Sequence, residues 1–211
     1  MDIAAFWDKH ARSYAKSKIA DPAAYEYTLG RTRAHLGPSD QVLELGAGTG
    51  ATAVELAGHV ARYHATDISP GMIEIAKERA DAAGLQQLNC SVADLFDPSL
   101  DEGGYDAVLA FNLLHLIDNI PAALQRAHAL LRPGGLFISK TICGPERRPP
   151  LTFAAMRAVL PLMQWIGYAP PVTFLQVAVL DEMVRAEGFD LIETGNHPAN
   201  PPRRYIVARK V

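Results

Sequence analysis

Gly46, Gly48 and Gly50 stand two residues apart in VLELGAGTG, between a short apolar run and a helix-forming stretch. Glycine lets a backbone turn sharply and come close to a ligand with no Cβ in the way. The helix that follows turns free amide groups toward an anionic group. A tight turn alone would use the same glycines, but the carboxylates around them go beyond what a turn needs. Asp67 closes the next apolar run, 17 residues past Gly50. A carboxylate there can accept both hydroxyls of a ribose, as well as cap the helix that begins beside Ser69. Asp94, in SVAD, ends the following run; it can accept from an exocyclic amine such as that of adenine, or simply make a turn. Glu44 lies inside the first run, two residues before Gly46. A buried carboxylate costs roughly several kcal/mol unless it is paired, so a cationic ligand group or backbone amides are expected against it.

A second set is relevant to proton transfer and metals. His115 follows Asn112 by three residues. An imidazole titrates near neutrality and can take a proton from a phenol, hydroxyl or amine. It can equally be a histidine packed in a turn. Asp94, Asp97 and Asp101 cluster, but in a loop expected to face water. With no Cys-x-x-Cys and no paired histidines, no metal site is expected.

These residues need a frame that brings them to one place. Residues 2–36 read as helical, with Asp21-Pro22 as a start and Gly37-Pro38 as a stop. Strands are expected at 41–45, 62–66, 88–92, 105–110 and 136–140. Helices are expected between them, over 51–59, 70–83 and 121–131, the last ended by the turn 132–135. A helix over 173–187, with Thr173 and Gln176 spaced for a capping box, precedes two final strands at 189–194 and 204–208. Strands alternating with helices imply a mostly parallel sheet covered on both faces. The last two strands lack a helix between them and should pair antiparallel at an edge. In such sheets ligands bind beyond the carboxyl ends of the strands, where the strand order switches.

Composition narrows the class. The chain has 211 residues, 49% of them apolar, and a net charge of −3. That fits one globular α/β domain and not a disordered chain, and it gives no electrostatic reason to expect nucleic acid as partner. Two cysteines make no disulfide framework, which points to a reducing, cytoplasmic setting. The opening MDIAAFWDKHARSY has charges where a signal peptide needs an apolar core. The longest uncharged apolar stretch, 158–173, contains Pro161, Pro170 and Pro171 and is too short for a membrane span. Residues 143–172 carry Phe153, Met156, Leu160, Met163, Trp165 and Tyr168. Leaving from the ligand rim, this insertion is expected either to lie over the site as a lid or to join the core. Arg147 and Arg148 within it can meet an acidic substrate or stay solvated.

The ordered set VLELGAGTG, HATDISPGM, VADL, YDAVLAFNLLHL and LRPGG resembles the class I S-adenosylmethionine-dependent methyltransferases, in their small-molecule branch. The resemblance covers about residues 40–142. It implies a Rossmann-like, doubly wound, mostly parallel seven-stranded sheet with an antiparallel C-terminal edge hairpin. It also implies one domain, with a helical cap over 1–38. By that resemblance Gly46, Ala47, Gly48 and Gly50 hold the methionine part of S-adenosylmethionine, and Glu44 orients the loop and the ammonium side. Asp67 binds the ribose; Ile68 and Met72 pack on adenine; Asp94 takes the adenine amine, with Leu95 giving a backbone amide. Asn112 meets the methionine end and admits substrate, and Tyr14 closes the site from the N-terminal helices. His115 is the one candidate base. The implied reaction is methyl transfer to a small, partly apolar molecule, yielding S-adenosylhomocysteine.

Two rivals share the glycine loop. Gly46, Gly48 and Ala51 fit G-x-G-x-x-(G/A) of a nicotinamide-dependent oxidoreductase, which leaves Glu44, Asp94 and 132–135 unexplained. A non-catalytic cofactor-binding module would use the same acids and glycines. A nucleic-acid base methyltransferase acting on exocyclic amines would have an Asn/Asp-Pro-Pro-aromatic turn after the fourth strand, where this chain has Asn112-Leu-Leu-His115.

Overall fold

The computed structural model describes residues 2–145 and 148–211. Seven strands form one sheet: β1 (Gln41–Leu45), β2 (Arg62–Asp67), β3 (Leu88–Val92), β4 (Tyr105–Phe111), β5 (Leu131–Ile142), β6 (Phe189–Ala199) and β7 (Pro202–Lys210). Their order is β3-β2-β1-β4-β5-β7-β6. The first five are parallel, and β7 runs antiparallel between β5 and β6. This is the expected Rossmann-like sheet with its C-terminal hairpin. Strand order reverses between β1 and β4, and the glycine loop opens at that switch.

Alternating side chains along the strands supply two cores. Leu43, Leu45, Val108 and Ala110 pack against α5 (Ile120–Leu130) and α7 (Val177–Ala186) through Leu124, Ala127, Leu180 and Val184. On the opposite face Val42, Tyr63, Ala65 and Leu109 meet Leu29 of α2 (Pro22–His35), Leu56 of α3 (Ala51–Ala57) and Ile73 of α4 (Pro70–Ala82). Each such leucine, removed from water, contributes roughly 1.5–3 kcal/mol. The two cores fix the strand ends, and with them the loops at the rim.

Two helices start as the sequence indicates, with a proline in the first turn and a side-chain cap: Asp21 accepts from Ala24 N at 3.0 Å and Ser69 from Met72 N at 3.1 Å; α5 starts the same way, with Asn119 accepting from Ala122 N at 3.1 Å. The N-terminal region is two helices, α1 (Ile3–Ala15) and α2, broken between them. α1 packs Ala11 on Met72 and Ile75 of α4. α2 is tied to the hairpin: Arg31 donates to Glu193 at 2.8 and 2.6 Å, His35 Nε2 lies 2.8 Å from the same carboxylate, and Thr32 Oγ1 lies 3.1 Å from the Tyr205 hydroxyl.

Three expectations change. The turn at 132–135 lies within β5: Tyr105 pairs with Leu131 and Ala107 with Leu136, so the Arg-Pro-Gly-Gly stretch bulges out of an otherwise continuous ladder. The capping box at Thr173 does not form. Thr173 N donates to His115 O at 2.8 Å and Gly144 N to Leu175 O at 2.7 Å. The chain therefore stays extended up to Val177, and Gln176 makes no cap bond. The insertion forms α6 (Leu151–Trp165), in which Phe153 alone is buried, its ring edge-on to Phe174. Leu151, Leu162 and Trp165 are exposed, so this helix does not join the core. Arg147 lies outside the described residues; Arg148 O accepts from Asn200 Nδ2.

Candidate active site

A cavity of about 230 Å³ opens beyond the carboxyl ends of β1, β2 and β4. Every residue the resemblance assigns to the cofactor lines it except Gly50. The walls also include Trp7, Phe96, Phe111 and Leu113, which the sequence reading did not single out.

The glycines hold their places for different reasons. Gly46 has φ +65°, and a Cβ there would sit 2.7 Å from Leu113 Cδ1. Gly48 has φ +55° with open space around it. Gly50, at φ +71°, would bring a Cβ to 2.8 Å from that of Ala76. Its role is to let α3 start against α4, away from the cavity.

Asp67 shapes the loop from below. Its carboxylate accepts from Gly48 N at 2.9 Å and from Ser69 N at 2.9 Å. Burial pushes its pKa up, while these amide bonds pull it back down. Asp94 accepts from Phe96 N at 2.7 Å in a local turn and is exposed. Asn112 takes a left-handed conformation at φ 54°, one that asparagine tolerates better than other side chains do. Its N–H donates to Lys140 O at 2.7 Å, which fixes the turn leaving β4.

Glu44 is 2% exposed, and the Tyr63 hydroxyl donates to it at 2.8 Å. Burial drives its pKa up to about 7 in spite of that bond, and the Asp67 charge adds to the rise. A carboxylate facing a cavity with one phenol as partner is stabilised by any cation that enters.

The N-terminal helix is locked over this rim by contacts that no sequence motif announces. Asp8 accepts from Ser69 Oγ at 2.6 Å and Gly71 N at 2.7 Å. These bonds hold its carboxyl below the usual range. Arg79 donates to Thr49 O, Thr49 Oγ1 and Ala15 O at 2.8–3.1 Å, which joins the end of α1 to the glycine loop. Tyr14 is thereby held at the cavity wall.

A second cavity, of about 320 Å³, shares Tyr14, Thr49, Ala51, Thr52, Phe111 and Asn112 with the first. It is walled by 15–29 of the N-terminal helical region, by Lys140 of β5 and by Pro198 and Arg203 of the hairpin. The lid expected from the 143–172 insertion contributes nothing to this wall among the described residues. The helices take part, and the C-terminal hairpin stands where the insertion was expected; no described residue of 143–172 lines either cavity.

His115 also lines neither cavity. It is 6% exposed, and its Nδ1 has no hydrogen-bond partner among the described residues. Burial, with the Arg203 charge adding to it, pushes its pKa down to about 4. It is a buried ring in the turn after β4. Among the described residues no group of three or more His, Cys, Asp and Glu is placed to hold a metal ion. No helix among them is long and apolar enough to cross a membrane.

Comparison with known proteins bears on the family and the fold. A family model described as a methyltransferase domain matches residues 43–137. The highly reducing polyketide synthase easB of Emericella nidulans is 35% identical over 127 residues, covering 55% of this chain and 5% of that protein. The chain thus spans about a twentieth or less of the curated relatives it matches. Among solved structures, phosphoethanolamine N-methyltransferase 2 of Haemonchus contortus, in complex with phosphomonomethylethanolamine and S-adenosylhomocysteine, has a TM-score of 0.74 at 17% identity, over 93% of this chain and 47% of that one. A geranyl diphosphate methyltransferase in complex with its diphosphate and sinefungin has a TM-score of 0.71 at 13% identity, over 88% and 77%. At such identities the structures speak to fold, and the family match covers the segment from β1 into β5. Residues 43–137 thus match a methyltransferase domain, within a chain that has the Rossmann-like fold of S-adenosylmethionine-dependent methyltransferases.

Proposed function

We propose that this chain transfers the methyl group of S-adenosylmethionine to a small, partly apolar acceptor seated in the second cavity. One observation carries the reading. The acids and loop residues assigned to the cofactor surround one cavity, and that cavity shares a wall with another that none of them enters except Tyr14 and Asn112.

The residues present fit the donor. Glu44 offers the ammonium a buried carboxylate. Asp67 offers the ribose hydroxyls a carboxylate held in place by two amides. Asp94 stands where the adenine amine would be met, with Ile68, Met72 and Leu95 as apolar walls. When bound, S-adenosylmethionine supplies an electrophilic methyl on a sulfonium that leaves as a neutral thioether. This chain then has mainly to align the acceptor and keep water out, and such positioning reaches effective molarities on the order of 10⁵ M or more. Tyr14, Phe111 and Asn112 at the shared wall are placed for both tasks. His115 plays no proton-transfer part in this scheme, because it reaches neither cavity.

The test has two stages. Titration calorimetry with S-adenosylhomocysteine and, separately, with NAD and NADP is expected to show binding of the first alone. Release of S-adenosylhomocysteine from S-adenosylmethionine is then followed across a panel of small phenols, carboxylic acids, phosphate esters and amines. Preference for a nicotinamide dinucleotide would overturn the reading. Binding without turnover over the whole panel would favour a cofactor-binding module.

A further inference from the structure

The second cavity contains a charge arrangement that the donor does not explain. Lys140 pairs with Tyr205, and Ile142 with Arg203, across the antiparallel β5–β7 ladder. Lys140 and Arg203 therefore lie on one face of the sheet as diagonal neighbours, and both line the cavity. Lys140 is 7% exposed. Two of its three donors go to neutral oxygens, Ala24 O at 3.2 Å and Thr28 Oγ1 at 3.0 Å, which leaves one donor unused. The Arg203 side chain has no hydrogen bond or ion pair among the described residues. The other guanidinium groups nearby are engaged: Arg204 with Asp181, Arg31 with Glu193, and Arg79 with the glycine loop. The one acid on the cavity wall, Asp21, has an oxygen committed to Ala24 N as the cap of α2.

An ammonium buried without a carboxylate is costly, and a second cation on the same face adds repulsion. Burial and Arg203 together pull the Lys140 pKa down to about 8, with Asp21 opposing them. An anion entering the cavity would relieve both costs at once. It could take a planar fork of donors from the guanidinium and one more from the ammonium. Leu29, Tyr25 and Phe111 on the same walls suit an apolar or aromatic body.

We propose that the second cavity selects an acceptor carrying an anionic group, a carboxylate or a phosphate, held between Lys140 and Arg203. The inference rests on the methyltransferase reading for the word acceptor, but the anion site itself can be tested apart from it. Protein saturated with S-adenosylhomocysteine is titrated with benzoate and phenyl phosphate, and with their neutral counterparts benzamide and phenol, by thermal shift and by protein-observed NMR. The anions are expected to bind at least tenfold more tightly than the neutral molecules. Whichever of benzoate and phenyl phosphate binds more tightly identifies the group. Arg203→Gln and the volume-preserving Lys140→Met are each expected to remove most of that preference. Both should keep their affinity for S-adenosylhomocysteine within about twofold, which also shows that they fold.

Equal binding of charged and neutral probes, or a preference that survives in both variants, would overturn the proposal. The same titrations without S-adenosylhomocysteine separate the two readings. Absence of S-adenosylhomocysteine binding with intact anion preference would count against the methyltransferase reading alone. Donor binding with no anion preference would count against the anion site alone.

Discussion

The two cavities meet at Tyr14, Phe111 and Asn112, yet they are built in opposite ways. The first is acidic, with Glu44, Asp67 and Asp94 at the ends of consecutive parallel strands. The second is basic, with Lys140 and Arg203 on an antiparallel ladder and helices laid over them. The parallel side is made by strand ends that the βαβ connections deliver to one rim in sequence order. The other side is assembled from segments distant in sequence, held together where α2 docks on the hairpin through Arg31, His35 and Thr32. A cationic donor and an anionic acceptor would enter from opposite sides of a shared wall, each drawn to the charge it lacks.

The glycine loop offers the largest break in that comparison. Gly46→Ala meets both a left-handed backbone and a Cβ at 2.7 Å from Leu113, together costing about 2–5 kcal/mol. At roughly 2–4 °C per kcal/mol for a chain of this size, melting should fall by about 4–20 °C. Binding of S-adenosylhomocysteine should weaken by at least about tenfold in calorimetry. Gly84→Ala makes the control: its φ of +67° is similar, and nothing lies within 4 Å of the added Cβ. It should lose only the conformational part, about 1–2 kcal/mol, and bind as before. Equal losses in the two variants would show that the Leu113 contact is irrelevant.

Asp67→Ala comes next. The carboxylate accepts from the Gly48 and Ser69 amides and, on the proposed reading, from the ribose. Charged hydrogen bonds of this kind are worth about 1.5–3 kcal/mol each. The variant should bind S-adenosylhomocysteine roughly 10–100-fold more weakly while leaving any preference for benzoate over benzamide intact. A variant that lost the anion preference in equal measure would mean that the two cavities are one site energetically.

The difference between the cavities is also a difference in what a sequence can reveal. Strand ends were legible because each residue that matters lies within a few positions of a local signal: a glycine turn, a Ser-Pro start, an acid closing an apolar run. Lys140 and Arg203 carry no such signal. They become neighbours only through the β5–β7 register, and a single sequence does not state register between strands that distant helices and a bulged turn separate. Asp8 and Arg79 were missed for the same reason, since their partners, Ser69 and Ala15, are more than 60 residues away. The α7 start was misplaced because Thr173 gives its N–H to His115 O, a tertiary bond that outweighs a local capping pattern. The outlook of α6 was illegible for a simpler cause. Its apolar spacing fits a core helix, and burial depends on what lies opposite.

Acidity on the donor side yields a pH prediction. Glu44 has a folded pKa of about 7, raised above its ordinary 4.5 by burial, so the folded apoprotein holds a proton that the unfolded chain gives up. Stability from this group is complete below about 4.5 and is lost as pH rises from there through about 7. A cationic ligand binds the ionised form, so binding at pH 6 should release close to one proton per S-adenosylhomocysteine. Apparent affinity should climb until about pH 7 and then level off. Calorimetry in two buffers of different ionisation enthalpy measures the release directly. Glu44→Gln should abolish it, and a release unchanged in that variant would move the proton to Asp67, whose pKa burial also raises.

The smallest expected effect belongs to His115, which the sequence offers either as a base or as a packed ring. Its folded pKa of about 4 lies below the ordinary 6.5. The neutral ring therefore favours the fold above about 6.5, and that contribution is lost as pH falls from there through about 4. His115→Leu keeps the ring's buried volume approximately and removes the Nδ1 that finds no partner. The variant should melt within a few degrees of the parent at pH 8 and lose less stability than the parent between pH 6 and 5. The pH profile of S-adenosylhomocysteine release between about 6.5 and 8.5 should keep its shape, because a group that titrates near 4 supplies no inflection there. A profile that lost a limb in this variant would return His115 to the site as a base. It would also mean that the turn carrying it opens toward the shared wall during turnover, which would make the boundary between the two cavities a moving one.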